Sequence, residues 1–269
     1  MFRTLALLCA ISAGSAQAAA PSTAAPSTQV DVELLLAVDV SGSMDIEEAR
    51  TQRSGYVEAL RHPDFANAVK AGMLGRIAIG YFEWAGAVNA GSVVDWQLID
   101  DLDDAQKFAE KIDKPVTGSR RGTSLSNAIR YGAASIDSNA FLGSRRVLDV
   151  SGDGPNNTGP PLSPARDAAV ERGIIINGLA ILIRPSASIA ALDKYFSDCV
   201  IGGPGSFVLP VHEPEDFAVA IRQKLILEVS GVMPAPSPKP AALIKKVDCS
   251  TGLMLKLDLM DRNVTPLDR

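Results

Sequence analysis

The chain has 269 residues, 46% hydrophobic and 21% charged, enough for one full-sized core with tails and ordinary for a globular domain. Its net charge of −5, with no basic run longer than a pair such as Arg120-Arg121 or Arg145-Arg146, excludes a nucleic-acid surface. The two histidines, His62 and His212, are far apart, which excludes a histidine-built zinc site or catalytic triad.

Taken in order, the chain opens on a targeting segment. Arg3 supplies a positive start, Leu5 to Ile11 a short apolar stretch, and Ala16-Gln17-Ala18 a cleavage pattern, so residues 1–18 read as a signal peptide. The apolar stretch is too short to span a bilayer, and Leu7-Leu8 before Cys9 argue against a lipoprotein. Cleavage removes one cation, Arg3, taking the net charge from −5 to −6. The expected product is exported, periplasmic or secreted, with no transmembrane segment in the mature chain and an oligomeric state the sequence does not give. Residues 19–30, rich in Ala, Pro, Ser and Thr, read as a flexible lead-in.

A strand is predicted from Val32 to Val40, its apolar run fit for burial on both faces. Asp45 with Glu48 has the spacing of a capping box, starting a helix that His62-Pro63 interrupts near Arg61. A shorter helix, Phe65 to Ala71, follows. Arg76–Glu83 reads as a second strand and Ser92–Leu98 as a third, polar enough for a sheet edge. Leu102, Ala105, Phe108, Ala109 and Ile112 share a helical face, as do Leu125, Ala128, Ile129, Gly132, Ala133 and Ile136. A fourth strand spans Arg146–Val150. A helix near Ser163–Arg172, a β-branched strand over Gly173–Ile183, a helical Ile189–Phe196, a strand at Ser206–Val211 and a helix from Pro214 complete the domain. Strands alternating with helices predict an α/β fold: a doubly wound, mostly parallel central sheet flanked by helices. The domain should cover 31–231, a proline-rich linker 232–242 and a tail 243–269; the tail is open to adding a strand, docking or staying loose.

The first strand ends in Asp39-Val40-Ser41-Gly42-Ser43, one carboxylate and two hydroxyls two residues apart. Buried beside an apolar strand, the carboxylate needs a cation or donors, and hard divalent ions take this oxygen set. On its own the string also fits a turn with a helix cap. In an open α/β sheet, ligands bind at the strands' carboxyl ends where strand order reverses. The loop after the fourth strand, with Asp153, should meet Asp39 there, and Gly118–Ser124 brings Thr123 to the same edge.

Asp39-x-Ser41-x-Ser43, Thr123 and Asp153 together resemble the metal-ion-dependent adhesion site (MIDAS) of von Willebrand factor type A domains, over roughly residues 31–230. The tracts 75–86 and 198–205 resemble an exported bacterial branch of that family whose function is not established. The resemblance implies that Ser41, Ser43 and Thr123 coordinate Mg²⁺ (or Mn²⁺ or Ca²⁺), with Asp39 and Asp153 holding it directly or through water. It implies a protein partner that supplies a carboxylate, and no enzymatic role. A metal-dependent hydrolase or phosphatase and a scaffold with a purely structural ion are the alternatives.

Several neighbours are open to two readings. Arg120 and Arg121 are solvated surface charges or a partner-binding rim drawing an acidic segment to the ion. Glu83 is a rim acid, an acid supporting a ligand, or half of a strand-end salt bridge. Asp100, Asp101, Asp103 and Asp104 lack the glycine and terminal glutamate of an EF-hand loop and read as helix-start acids. The Asn156-Asn157-Thr158 sequon carries no message after a signal peptide of bacterial type. Cys199 and Cys249 either form a disulfide, worth at most roughly 4 kcal/mol for a loop of about 50 residues, or leave Cys199 buried and Cys249 unpaired in a loose tail.

Overall fold

The computed structural model describes residues 27–115, 120–184, 191–232 and 246–253. The expected signal peptide, most of the lead-in, most of the linker and the outer tail lie outside them. The chain runs β1 (Thr28–Asp39), α1 (Ile46–Arg61), α2 (Pro63–Lys70), β2 (Ile77–Trp84), β3 (Val88–Ile99), α3 (Leu102–Ile112), α4 (Leu125–Ser138), β4 (Phe141–Gly152), α5 (Leu162–Glu171), β5 (Ile174–Ile181), α6 (Leu192–Tyr195), β6 (Val208–Val211) and α7 (Phe217–Ser230). A π turn, Phe196–Val200, continues α6.

The strands form one sheet of order β3-β2-β1-β4-β5-β6. All pairs are parallel except β2–β3. Strand β1 is thus the point where winding reverses, with β2 on one side and β4 on the other. Its alternation divides the core: Val32, Leu34, Leu36 and Val38 join the cluster under α1, α2, α3 and α7, while Leu35 and Ala37 join that under α4, α5 and α6. Each of these valines and leucines, fully buried, contributes about 1.5–3 kcal/mol.

Helix α1 starts on the predicted capping box: Asp45 accepts from the Glu48 amide (2.8 Å), and Glu48 Oε2 accepts from the Asp45 amide (2.9 Å). It ends where Pro63 forces His62 into extended backbone (φ −78, ψ 135). Strand β3 is the polar edge strand predicted.

Two boundaries differ from expectation. The lead-in was expected to reach residue 30, yet Thr28 to Val30 already belong to β1 and Val30 is buried. Thr28 and Gln29 pair with Phe141 and Leu142, the equally unforeseen start of β4. Backbone pairing there outlasts the apolar pattern. Among the described residues no helix is long and apolar enough to cross a membrane.

Candidate metal centre

The last residue of β1, Asp39, pairs with Trp84 on β2, while its neighbour Ala37 pairs with Val150 on β4. Asp39 is fully buried. Its carbonyl accepts from Gln52 Nε2 of α1 (2.8 Å) and its amide donates to Ser151 Oγ (3.2 Å). The backbone is thereby fixed from both neighbours. Carboxylate Oδ1 accepts the Ser41 amide (2.7 Å), but buried Oδ2 has no hydrogen-bond partner. Ser41 Oγ meets Ser43 Oγ at 3.1 Å, and Ser43 Oγ donates to Asp153 Oδ1 (2.7 Å). Four of the predicted residues therefore form one oxygen-lined chain, leading from buried Asp39 to exposed Ser43.

Burial, then the negative charge of Asp153, pushes the Asp39 carboxyl up to about 8. Asp153 is also raised, chiefly by burial. Two acids with one partnerless oxygen and two hydroxyls form an oxygen-only donor set, and the cost of charging them is what a hard cation would offset. The residues present fit such an ion.

Thr123 is held through its backbone by the loop that follows Asp153. It is buried. Its amide donates to Asn157 Oδ1 (2.9 Å), and its carbonyl accepts from the amides of Asn157 (2.9 Å) and Thr158 (3.2 Å). Asn156 Oδ1 accepts the Ser126 amide at the start of α4 (3.1 Å). One loop, 153–158, thus carries Asp153 and fixes the segment that presents Thr123. Sequence reasoning passed over Asn156 and Asn157 as a silent sequon; two amides three and four residues after an acid at a strand end were the available signal. Gly122 sits at φ +74, where a Cβ would come 2.9 Å from Thr158 Cγ2, so glycine lets these loops close.

Arg120 corrects a prediction. It is not a freely solvated charge. Its Nε donates to the Val40 carbonyl (2.7 Å), and its Nη2 donates to the carbonyls of Ser41 (3.1 Å), Met44 and Asp45 (3.3 Å). Its own carbonyl accepts the Gly42 amide (2.7 Å). The guanidinium is spent on clamping the turn that carries Ser41 and Ser43. Arg120→Ala should lower stability by about 1.5–3 kcal/mol in denaturant unfolding and weaken cation binding by roughly tenfold. Lysine should rescue little, because it lacks the planar fork.

Glu83 is also corrected as a rim acid. It is buried, ion-paired with Arg53 of α1 and hydrogen-bonded by Tyr81 Oη (2.9 Å). Burial opposes a free carboxylate there, so the strand-end salt bridge is the form it takes. Arg121 is exposed and lines a cleft of about 410 Å³ with Gly86, Ala87, Val88, Asn89, Ala90 and Thr158.

Asp100, Asp101 and Asp104 bring carboxylates within 4.8 Å of one another. They lie at the other end of the sheet, since Ile99 pairs with Ile77 at the start of β2. Asp101 caps α3, accepting from the Asp104 amide (2.9 Å), as expected of helix-start acids.

The tail call is resolved for residues 246–253. They dock on the domain: Cys199 and Cys249 are joined by a disulfide, Val247 packs against the α5–α6 side of the core, and its amide donates to Asp198 Oδ2 (2.9 Å).

A family model described as "Protein of unknown function (DUF1194)" matches residues 29–233. No curated protein matches. Among solved structures, proximal thread matrix protein 1 from the mussel byssus is 12% identical at TM-score 0.54, over 77% of this chain and 49% of its own. A further structure of that mussel protein, "with zinc occupied MIDAS motif", is 14% identical at TM-score 0.50, over 77% and 49%. A von Willebrand factor type A protein from Catenulispora acidiphila is 13% identical at TM-score 0.53, covering 75% and 43%. The pilus adhesin SpaC from Lactobacillus rhamnosus GG is 11% identical at TM-score 0.53, covering 76% and 31%. The chain spans half or less of each of these structures. At such identities the likeness establishes the fold, that of a von Willebrand factor type A domain.

Proposed function

Because the chain belongs to the DUF1194 family, whose description assigns no function, and has a von Willebrand factor type A fold, we propose that it is an exported binding module holding a divalent cation. Asp39, Ser41, Ser43, Thr123 and Asp153 are its ligand residues in this reading. The observation that carries it is Asp39 Oδ2, buried without a partner while Asp153 closes on the same hydroxyl pair. The zinc-occupied MIDAS motif of the mussel protein supports it.

A bound divalent ion would supply an electrophilic position for a carboxylate oxygen of another protein. The chain's own residues do the rest. Asp39 anchors the site from below, Ser41 and Ser43 carry neutral oxygens to the surface, and the 153–158 loop keeps Asp153 and Thr123 together. Two carboxylates balance the ion's charge, and five oxygens leave a six-coordinate ion one position open, which suits Mg²⁺, Mn²⁺ or Ca²⁺ with a carboxylate from a partner. Exposed Arg121, beside its cleft, adds a positive edge that suits an acidic partner. The Cys199–Cys249 disulfide fits an oxidising compartment, hence export. We read the module as an adhesion or capture domain, not an enzyme.

Calorimetric titration of the full chain with Mg²⁺, Mn²⁺, Ca²⁺ and Zn²⁺ tests the reading. One tightly bound ion is expected, together with capture of acidic peptides that a chelator abolishes. Absence of uptake of all four ions would discard the site. Turnover of generic phosphatase or esterase substrates with Mg²⁺ or Mn²⁺ would replace the module with an enzyme.

A further inference from the structure

We propose that the C-terminal segment 246–253, stapled by the Cys199–Cys249 bridge, is a positioning element of the metal centre, so that cation affinity depends on the redox state of that bridge. The proposal rests on the metal reading above.

The segment lies on the loop that organises two of the proposed ligands. A Cβ on Gly252 would come 2.4 Å from the Asn156 carbonyl oxygen and 3.0 Å from Pro155 Cβ, so the tail backbone presses directly on that turn. Tyr195 Oη joins loop and tail: it accepts the Asn156 amide (3.2 Å) and donates to the Cys249 carbonyl (3.4 Å). Gly154, Pro155, Asn156 and Gly252 are all buried in this contact region. Asp153 precedes Pro155 by two residues, and Asn157, which holds the Thr123 amide, follows Asn156. A displacement of Pro155–Asn156 therefore moves an acid and a hydroxyl ligand at once.

The anchor on the domain side is firm. Cys199 is fully buried in the π turn, beside Tyr195 and Phe196. Arg166 Nη1 donates to the carbonyls of Asp198 and Cys199, both at 3.1 Å. Apart from the bridge, the Val247 amide donates to Asp198 and Tyr195 Oη to the Cys249 carbonyl. The bridge closes a separation of 50 residues, so opening it releases the segment to a large ensemble.

Opening is a thiol–disulfide exchange with a dithiol reductant. Its thiolate attacks Cys249 Sγ, the less buried sulfur, forming a mixed disulfide as the Cys199–Cys249 bond breaks. Cys199 leaves as a thiolate and takes a proton. The reductant's second thiol then attacks the mixed disulfide and frees Cys249. Two electrons and two protons enter the bridge, and the reductant becomes a disulfide.

The test compares full chain oxidised, reduced by a dithiol and desalted, and as Cys199→Ser/Cys249→Ser. Mn²⁺ affinity and amide exchange over 153–158 are both read, with far-UV circular dichroism confirming the fold. Affinity is expected to fall about tenfold on opening, the scale of losing a support to a metal ligand. Exchange at Asn156 and Asn157 should quicken, and reoxidation should restore both. Gly252→Val, which keeps the bridge but pushes on Asn156, should reproduce the affinity loss and guards against variants that unfold. Equal Mn²⁺ affinity in folded oxidised and reduced chains, with unchanged exchange, overturns the proposal. Redox-dependent exchange in a chain that binds no cation in either state overturns it through the metal reading, leaving only a mechanical contact.

Discussion

Asp39→Asn should abolish divalent-ion uptake, weakening it about a hundredfold or more, while leaving the ion-free fold at least as stable as the parent at neutral pH. A support behind a metal ligand is worth up to about a hundredfold in affinity, and Asp39 would be the ligand itself. Loss of the carboxylate is harmless to the ion-free chain because Oδ2 makes no hydrogen bond and Oδ1, which takes the Ser41 amide, survives in asparagine. Asparagine also matches the neutral form that the buried carboxyl holds below about pH 8. Stability moves with the ion: a cation at a hundred times its Kd adds about 2.7 kcal/mol to a chain that binds it only when folded. The parent should show that gain in denaturant unfolding and the variant none. A variant that binds as the parent does would place the ion elsewhere.

The same carboxyl gives a pH dependence. Its value rises from 3.8 to about 8 in the folded chain. Between those limits the folded state holds a proton that the unfolded state has released, so ion-free stability is greatest below pH 4 for this group and is lost as pH rises towards 8. A divalent ion should flatten that decline in the parent. In Asp39→Asn this part of the decline should be missing, with or without ion. Stability of the ion-free parent that rises from pH 5 to pH 8 would contradict the burial of this charge.

Much of this arrangement was legible because it rests on local chemistry. The apolar run of β1 needs both faces covered, Asp45 and Glu48 stand at capping distance, and Pro63 can only end a helix. Asp39 and Asp153 follow strands that alternation had marked, so the switch-point rule brought them together before any coordinates did. What escaped was interaction through backbone. The clamp of Arg120 closes on carbonyls 75 to 80 residues earlier, and every residue has a carbonyl. No residue type at those positions could announce it. Asn157 holds Thr123 in the same way, and the first turns of ladder between β1 and β4 need no side-chain pattern. Glu83 was left open between a rim acid and a strand-end salt bridge because its partner, Arg53, is thirty residues away on α1, and an apolar pattern says nothing of the charges a helix turns inward.

That omission matters most on α7. Phe217, Ile221, Leu225 and Val229, spaced by four, marked its inward stripe, yet Lys224 and Glu228 are buried beside them. Lys224 Nζ lies 2.5 Å from Asp149 Oδ1 on β4 and 2.5 Å from Glu228 Oε1. Asn177 Nδ2 on β5 donates to Glu228 Oε1 (3.0 Å). Burial alone would push the lysine down, but the two acids hold it above its ordinary value. Burial and then Asp149 push Glu228 from 4.5 to about 8. Burial raises Asp149 as well, against the pull of Lys224, so the two acids share one buried cation, and Glu228 is mostly protonated at neutral pH.

Lys224→Met should cost about 3–5 kcal/mol, because it removes the only cation facing the buried Asp149 and Glu228 acids among the ion pairs of this cluster. The loss should grow from pH 6 to pH 9 as Glu228 also seeks to ionise. Glu228→Gln, by contrast, replaces a group already neutral and should change little at pH 7. It should remove the share of the pH-dependent decline that divalent ions leave untouched, since Glu228 holds its proton up to about 8 and the unfolded chain releases it near 4.5. Combining Lys224→Met with Asp149→Asn and Glu228→Gln empties the core of charge and should recover most of the lost stability. Denaturant unfolding of the parent and the three variants reads all of this. A loss under about 1 kcal/mol for Lys224→Met would mean that water reaches the trio and that α7 is held to the sheet by its apolar stripe alone.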